Sequence, residues 1–226
     1  MSKDFPRQWR QYFRLGAGVS AAVLLIAVAG IAYYGTPKYW RVGYEPIQPL
    51  RFSHKLHAGE LGMDCLYCHN HVGESPHSNV PSTATCLNCH GETRGNIRAL
   101  DPAFAPLRAA AATGQPIRWV RVHRAPDYAY FNHAVHVKRG VSCVSCHGKV
   151  NEMEVVRHVE PLSMAWCLEC HRHPAPHLRP ADAVTNLDWS PETDPRFKDR
   201  SREEFLSHLL REVGINPPEN CSGCHR

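Results

Sequence analysis

The most continuous run of hydrophobic residues in this chain of 226 residues lies near its N-terminus. Residues 15–34 contain no charged side chain. As a helix they would span about 30 Å, the thickness of the hydrocarbon core of a bilayer. Aromatic residues flank both ends of the run, as they do at membrane interfaces: Trp9, Tyr12 and Phe13 at one end, and Tyr33, Tyr34, Tyr39 and Trp40 at the other. The pattern predicts one transmembrane helix that anchors the chain in the lipid bilayer.

The basic residues before this helix predict its orientation. The residues before the run include four basic ones and one acidic one, namely Lys3, Arg7, Arg10 and Arg14, and Asp4. Positive residues favour the cytoplasmic side, so residues 1–14 are predicted to be cytoplasmic and residues 35–226 extracytoplasmic, on the periplasmic side of the inner membrane. A cleaved signal peptide is the alternative interpretation, with Ala27-Val28-Ala29 as a cleavage site.

Beyond the anchor, hydrophobic periodicity is weak and proline is frequent, so little β structure is expected. Residues 99–114 are rich in alanine and predict one short helix. Ser201 and Glu204 have the spacing of a capping box before an amphipathic pattern, which predicts a second helix ending near Gly214. The fold class predicted from this pattern is an irregular chain with short α-helices and one N-terminal transmembrane helix.

All ten cysteines fall into five copies of Cys-x-x-Cys-His, which is the attachment motif of c-type haem. The two thiols bond to the porphyrin, and the histidine becomes the proximal ligand of the iron. Redox-active cysteine pairs and zinc ribbons also use Cys-x-x-Cys, but neither requires the following histidine. The sequence therefore predicts five covalently bound haem c groups. The cysteines are Cys65, Cys68, Cys86, Cys89, Cys143, Cys146, Cys167, Cys170, Cys221 and Cys224, and the proximal ligands are His69, His90, His147, His171 and His225.

Four of the motifs belong to an internal duplication. Residues 52–90 and 131–171 each contain Phe-x-His-x-x-His followed by two Cys-x-x-Cys-His motifs, and the fifth motif stands alone at 221–225. Histidines three residues apart share a helix face, so each pair can serve two neighbouring haems. The predicted distal ligands of four haems are therefore His54, His57, His133 and His136.

The fifth distal ligand is less constrained by the pattern. His123, which lies shortly before the second repeat, is the predicted ligand, with His208, His158 and Met164 as alternatives. A methionine ligand would raise the potential of its haem.

Composition and charge agree with a multihaem protein. Only 43% of the residues are hydrophobic, and the part after the anchor is too short to build five conventional cores. The haems are expected to supply the apolar interior, with the polypeptide wrapped around them. Most of the net charge of +5 lies before the anchor, so a nucleic-acid partner is not expected.

Several stretches resemble one family, the pentahaem membrane-anchored cytochrome c subunit of bacterial alternative complex III, a quinol:electron-acceptor oxidoreductase. The resemblance lies in Gln48–Cys65, Val122–Val137, Pro161–Arg172 and Ile215–Arg226. It implies an extracytoplasmic chain of bis-histidine haems in a respiratory or photosynthetic complex. The implied partners are an iron–sulfur subunit, a monohaem cytochrome c subunit and integral membrane subunits, and the chain itself would carry electrons without substrate chemistry.

Two other functions are compatible with the motifs. A free-standing membrane-anchored quinol dehydrogenase that feeds a periplasmic reductase would need a quinol site beside a haem at the membrane surface. A multihaem enzyme that reduces a small oxyanion would need one haem with an open coordination position and an acid–base cluster next to it. The histidines suffice for all five irons, which disfavours the second of these.

Overall fold

The computed structural model describes residues 7–35, 41–197 and 201–225. Its α-helices are α1 (Arg7–Gly35), α2 (Cys65–Cys68), α3 (Thr83–His90), α4 (Ala105–Thr113), α5 (His133–Lys138), α6 (Val144–His147), α7 (Met164–Arg172), α8 (Arg202–Val213) and α9 (Cys221–Cys224). The chain divides into two compact units, Met1–Val42 and Gly43–Arg226.

The first unit consists of helix α1. Its segment Gln8–Gly35 is long and apolar enough to cross a membrane. The side chains of such a helix leave water when it lies in a lipid bilayer. This agrees with the predicted anchor. The predicted interface residues Tyr39 and Trp40, and the charged residues Lys3 and Asp4, lie outside the described residues.

The second unit is helical and irregular. Within residues 41–197 and 201–225 no strand is formed, and a single antiparallel bridge joins Val141 to Leu178. Short helices of 3-10 or π type lie between the α-helices, the longest being a π-helical turn at Lys55–Glu60. The predicted class, short helices with little β structure, is confirmed.

Both helices predicted outside the motifs are present. The first begins later than predicted, and the second has the predicted start and end. The alanine-rich helix α4 begins only at Ala105, because Asp101 caps a preceding 3-10 turn, and it ends at Gly114 in the left-handed region. Helix α8 has the predicted capping box between Ser201 and Glu204, and Gly214 terminates it at φ 59°.

Among the described residues, the compact hydrophobic cluster of fully buried side chains is small. Leu178, Phe205 and Leu209 form its centre, and Trp189 and Phe197 pack against them. Helix α8 supplies two of these residues, so it is attached to the unit through its apolar face. A cluster of this size cannot organise the whole second unit, which agrees with an interior completed by prosthetic groups.

Candidate haem sites

Each cysteine pair lies on a short helical turn. Helices α2 and α9 consist of the four residues from one cysteine to the next, and α3 and α7 each carry a pair. In the remaining pair, Cys143 is the N-cap of α6 and Cys146 lies within it. Residues three apart share one helix face, so the two sulfur atoms of a pair point to the same side. All ten cysteines belong to the described residues and none forms a disulfide. This is the arrangement that two thioether bonds to one porphyrin edge require.

Side-chain caps fix several of these turns. The carboxylate of Asp64 accepts a hydrogen bond from the Leu66 amide at 2.7 Å at the start of α2, and the Asn220 side chain accepts one from the Gly223 amide at 2.8 Å at the start of α9. Ser163 caps α7 in the same way. Such caps stabilise turns that are too short to be stable alone.

Backbone carbonyls orient the imidazoles of four of the five predicted proximal ligands. The Nδ1 atoms of His69, His90 and His171 each lie 2.7 Å from a carbonyl oxygen, and Nδ1 of His225 lies 3.0 Å from the oxygen of Tyr128. An Nδ1–H that donates to a carbonyl leaves the lone pair of Nε2 available for a metal. This is the tautomer that an iron ligand needs.

The predicted distal histidines show the same orientation in both repeats. Nδ1 of His57 lies 2.8 Å from the oxygen of Ser53, and Nδ1 of His136 lies 2.7 Å from the oxygen of Asn132, four residues earlier in each case. Nδ1 of His133 lies 3.3 Å from the oxygen of Pro76. The same local hydrogen bond therefore orients an imidazole in two segments that are far apart in sequence.

In three pairs of imidazoles, the spacing would allow both rings to bind one haem iron. Imidazole nitrogens bind metals at about 2.0 Å, so two imidazoles that shared one iron would have ring centres about 6.3 Å apart. The observed separations are 6.2 Å for His57 and His90, 6.2 Å for His136 and His171, and 6.4 Å for His133 and His147. The residues present therefore fit haem iron at these three motifs.

Pairs of this kind suit a haem better than a bare ion. Within the described ranges, no three His, Cys, Asp or Glu side chains converge as a site for a single metal ion. A porphyrin supplies four ligands itself, so a haem iron needs only two from the protein. When bound, the group supplies reversible one-electron chemistry.

His54 lies beside the first motif. Burial, followed by the neighbouring imidazoles of His69 and His57, lowers the pKa of His54 to about 4. Its Nδ1 is buried and has no hydrogen-bond partner among the described residues. A neutral imidazole near His69 is the state in which it could bind the first iron.

Sequence reasoning assigned no role to the phenylalanine of the repeat, although it occurs in both copies. Phe52 stacks on His57 with ring centres 4.3 Å apart and meets His54 edge-on at 4.8 Å. Phe131 packs on its own two histidines in the same way, at 4.5 Å and 4.7 Å. One ring thus sets the orientation of both imidazoles, and its recurrence in the motif is the signal that could have revealed it.

The structure places His123 beside the third motif. Its ring centre lies 4.3 Å from that of His147, shorter than the spacing across an iron, and 5.2 Å from that of His158, which is 1% exposed. Burial, and then His123 and other imidazoles, lower the pKa of His147 to about 3. The ring of the fifth proximal ligand, His225, contacts Tyr128.

The remaining alternatives for the fifth ligand lie on two helices. Met164 begins α7, one turn before Cys167, and is 65% exposed. His208 lies on α8. His123 as the fifth distal ligand therefore stays a prediction.

Thiols of different motifs lie close together. Burial, followed by the thiols of Cys170 and Cys167, raises the pKa of Cys146 to about 12. Burial, followed by the thiol of Cys65, raises the pKa of Cys143 to about 11. The third motif is therefore a neighbour of both the first and the fourth.

Comparison with known proteins gives one partial relative. No family model matches the chain. The chain is 37% identical over 101 residues to the menaquinone reductase, multiheme cytochrome c subunit, of Nitratidesulfovibrio vulgaris (strain Hildenborough). The aligned part is 44% of this chain and 45% of that protein, so the chain spans about half the length of the relative it matches. The helical fold, the single N-terminal apolar helix, the Cys-x-x-Cys turns and this similarity agree on the predicted class, a multihaem cytochrome c.

Proposed function

We propose that this chain is an electron-transfer subunit that carries electrons through five covalently bound c-type haems within a membrane quinol:acceptor oxidoreductase. The complex resembles alternative complex III of a bacterial respiratory or photosynthetic chain. The observation that carries the proposal is the spacing of 6.2 to 6.4 Å between paired imidazoles at three motifs.

An iron held between two imidazoles is suited to transfer electrons rather than to bind a substrate. An iron bound by two imidazoles and a porphyrin would have no position left for a small molecule to coordinate. This argues against an oxyanion reductase, which needs an open position at one haem. Since His57 and His136 are held by backbone carbonyls and by phenylalanine rings, their dissociation from an iron is disfavoured.

The link to quinones comes from the relative, whose name is that of a menaquinone reductase subunit. In the proposed arrangement residues 1–14 are cytoplasmic, residues 15–34 cross the inner membrane, and residues 35–226 form the extracytoplasmic haem domain. The proposed partners are an iron–sulfur subunit, a monohaem cytochrome c subunit and integral membrane subunits, which hold the quinol chemistry.

The name of the relative also favours a second candidate, electron flow in the opposite direction. A reductase of menaquinone delivers electrons to the quinone pool, whereas alternative complex III takes them from it. The same bis-histidine haems serve either direction, because each transfer between irons is reversible. The direction depends on the potentials of the partners.

The test is gentle detergent extraction of native membranes, followed by haem-stained native electrophoresis and activity assays on the stained band. The proposal expects this chain in a large complex with an iron–sulfur protein, and quinol-dependent reduction of its haems. Quinone reduction by the same complex would support the second candidate instead. A chain that migrates alone and still oxidises quinol would contradict both and identify the free-standing quinol dehydrogenase. A strain that lacks the chain is the control for the band.

A further inference from the structure

We infer that the five attachment motifs form one row in the order second, first, third, fourth, fifth. The second motif and the fifth are then the two ends at which electrons enter and leave the chain. The inference rests on the proposed function for its meaning, since it concerns the haems that the motifs would carry. Contacts join each motif in this row to the next.

The second motif lies against the first. Tyr67, between the cysteines of the first motif, accepts a hydrogen bond at 3.2 Å from the side chain of Asn88, between the cysteines of the second. His54 and His57 lie one helical turn apart, and the ring of His57 is 6.2 Å from that of His90. One short segment therefore presents imidazoles to two adjacent motifs.

The first motif lies against the third through a shared strip of backbone. The sulfur of Cys65 is 3.8 Å from the carbonyl oxygen of Thr185, and the amide of Cys143 donates to the carbonyl of Val184 at 3.5 Å. Val184 and Thr185, which are consecutive in sequence, thus contact the first cysteine of the third motif and the first cysteine of the first motif.

A second set of contacts joins the same two motifs. The segment after the first motif folds back, so that the carbonyl of Asn79 orients His69. The carbonyl of Pro76 in that segment accepts the backbone amide of His133 at 3.2 Å. The ring of His133 lies 6.4 Å from His147 of the third motif. The distal ligand of the third motif is therefore held in place by the first.

The third and fourth motifs are joined by helix α5. His133 and His136 lie three residues apart on its face. Their rings lie 6.4 Å from His147 and 6.2 Å from His171, respectively. A helix of six residues thus spans two motifs and sets the distance between them.

The fourth motif is joined to the fifth by the segment that leads into α9. The Nδ1–H of His171 donates to the carbonyl of Pro218 at 2.7 Å, and Arg172 pairs with Glu219 at 3.1 Å. Asn220, the next residue, caps the helix of the fifth motif. The proximal ligand of the fourth motif is therefore oriented by the backbone of the fifth.

This order differs from the order along the chain, in which the first motif would be an end. Here the first motif is internal, and its loss divides the row. Haems held by these motifs would supply one-electron chemistry, in which the electron lost by one iron would be gained by its neighbour. A quinol-oxidising partner supplies the electrons, and an acceptor haem or iron–sulfur protein removes them.

The direct test is a cryo-electron microscopy map of the full holo-complex from native membranes, read for the iron positions. The shortest iron–iron distances should join motif two to one, one to three, three to four, and four to five. The longest should join two to five. Any other set of nearest neighbours overturns the inference, whatever the activity of the complex.

A kinetic test uses two matched variants that each remove one haem. In the complex with Cys65→Ala/Cys68→Ala, four haems remain, divided into one and three. A rapid phase of haem reduction by quinol should then account for about a quarter or about three quarters of the remaining haem absorbance, depending on the end at which electrons enter. The control, Cys86→Ala/Cys89→Ala, removes an end, so rapid reduction should comprise none or all of it.

The two results would be exchanged if the motifs followed their order along the chain, and that outcome contradicts the inference. Dithionite reduction verifies that four haems are present in each variant. If quinol reduces no haem in the wild-type complex, the proposed function fails, while the iron positions still decide the order.

Discussion

At the scale of single residues, the decisive feature is the hydrogen bond from the Nδ1–H of an imidazole to a backbone carbonyl. It recurs at His57 and His136, which occupy equivalent places in two repeats. The sequence identified both histidines because their spacing is repeated. It could not assign them to His90 and His171, since that pairing depends on how distant segments pack. The ring separations of 6.2 Å support the proposed pairing of His57 with His90 and of His136 with His171.

The substitution His57→Ala tests this assignment. It should leave the iron at the second motif with His90 as its one protein ligand, so that one haem in five changes from low spin to high spin. Electron paramagnetic resonance of the oxidised complex should then show a high-spin ferric signal that is absent from the wild type.

His71→Ala is the matched control, because this histidine is exposed and was assigned no ligand role. Its spectrum should equal that of the wild type. Five low-spin haems in the His57→Ala variant would contradict the assignment, as would a high-spin signal of equal size in the control.

At the scale of elements, local signals were predictable and contacts between elements were not. The capping box of α8 lies within four consecutive residues, so the sequence revealed it. The segment around Asp194 shows no periodicity, yet it is firmly held. Trp189 donates to the Asp194 carboxylate at 2.8 Å, and the Arg196 guanidinium donates to both of its oxygens. Those bonds join side chains and leave no pattern along the chain.

Asp194 should make the stability of the second unit depend on pH. The Arg196 guanidinium, followed by the indole N–H of Trp189, holds the pKa of Asp194 well below its usual range. A carboxyl group with a lowered folded pKa contributes stability above its unfolded pKa of about 3.9, and the contribution is lost as the pH falls through the folded value. Asp194→Asn should therefore lower the melting temperature of the holoprotein at pH 7, and the difference from the wild type should diminish below about pH 4.

The control is Glu154→Gln, which removes an exposed carboxylate 3.9 Å from Lys55. Exposed pairs contribute little, so its melting temperature should match the wild type across this range. A difference for Asp194→Asn that stays constant down to pH 2 would show that the carboxylate charge is not what stabilises this segment.

At the scale of the whole molecule, the second unit combines five attachment motifs with a small hydrophobic core. Its compact cluster around Phe205 is formed by two residues of α8 and by Leu178, whereas five helical turns carry or adjoin cysteine pairs. The number of motifs and the apolar helix could be read from the sequence, because each is local. The order of the motifs in space could not, since it arises from contacts such as those of Pro76 with His133 and Pro218 with His171.

The most direct test of the central claim is the intact mass of the full chain, purified from native membranes and measured under denaturing conditions. Five thioether-linked haems of about 0.6 kDa each should add about 3 kDa to the polypeptide and remain attached after unfolding. A mass equal to that of the polypeptide alone, or an increase that corresponds to fewer than five haems, would contradict the account of five covalent haem sites.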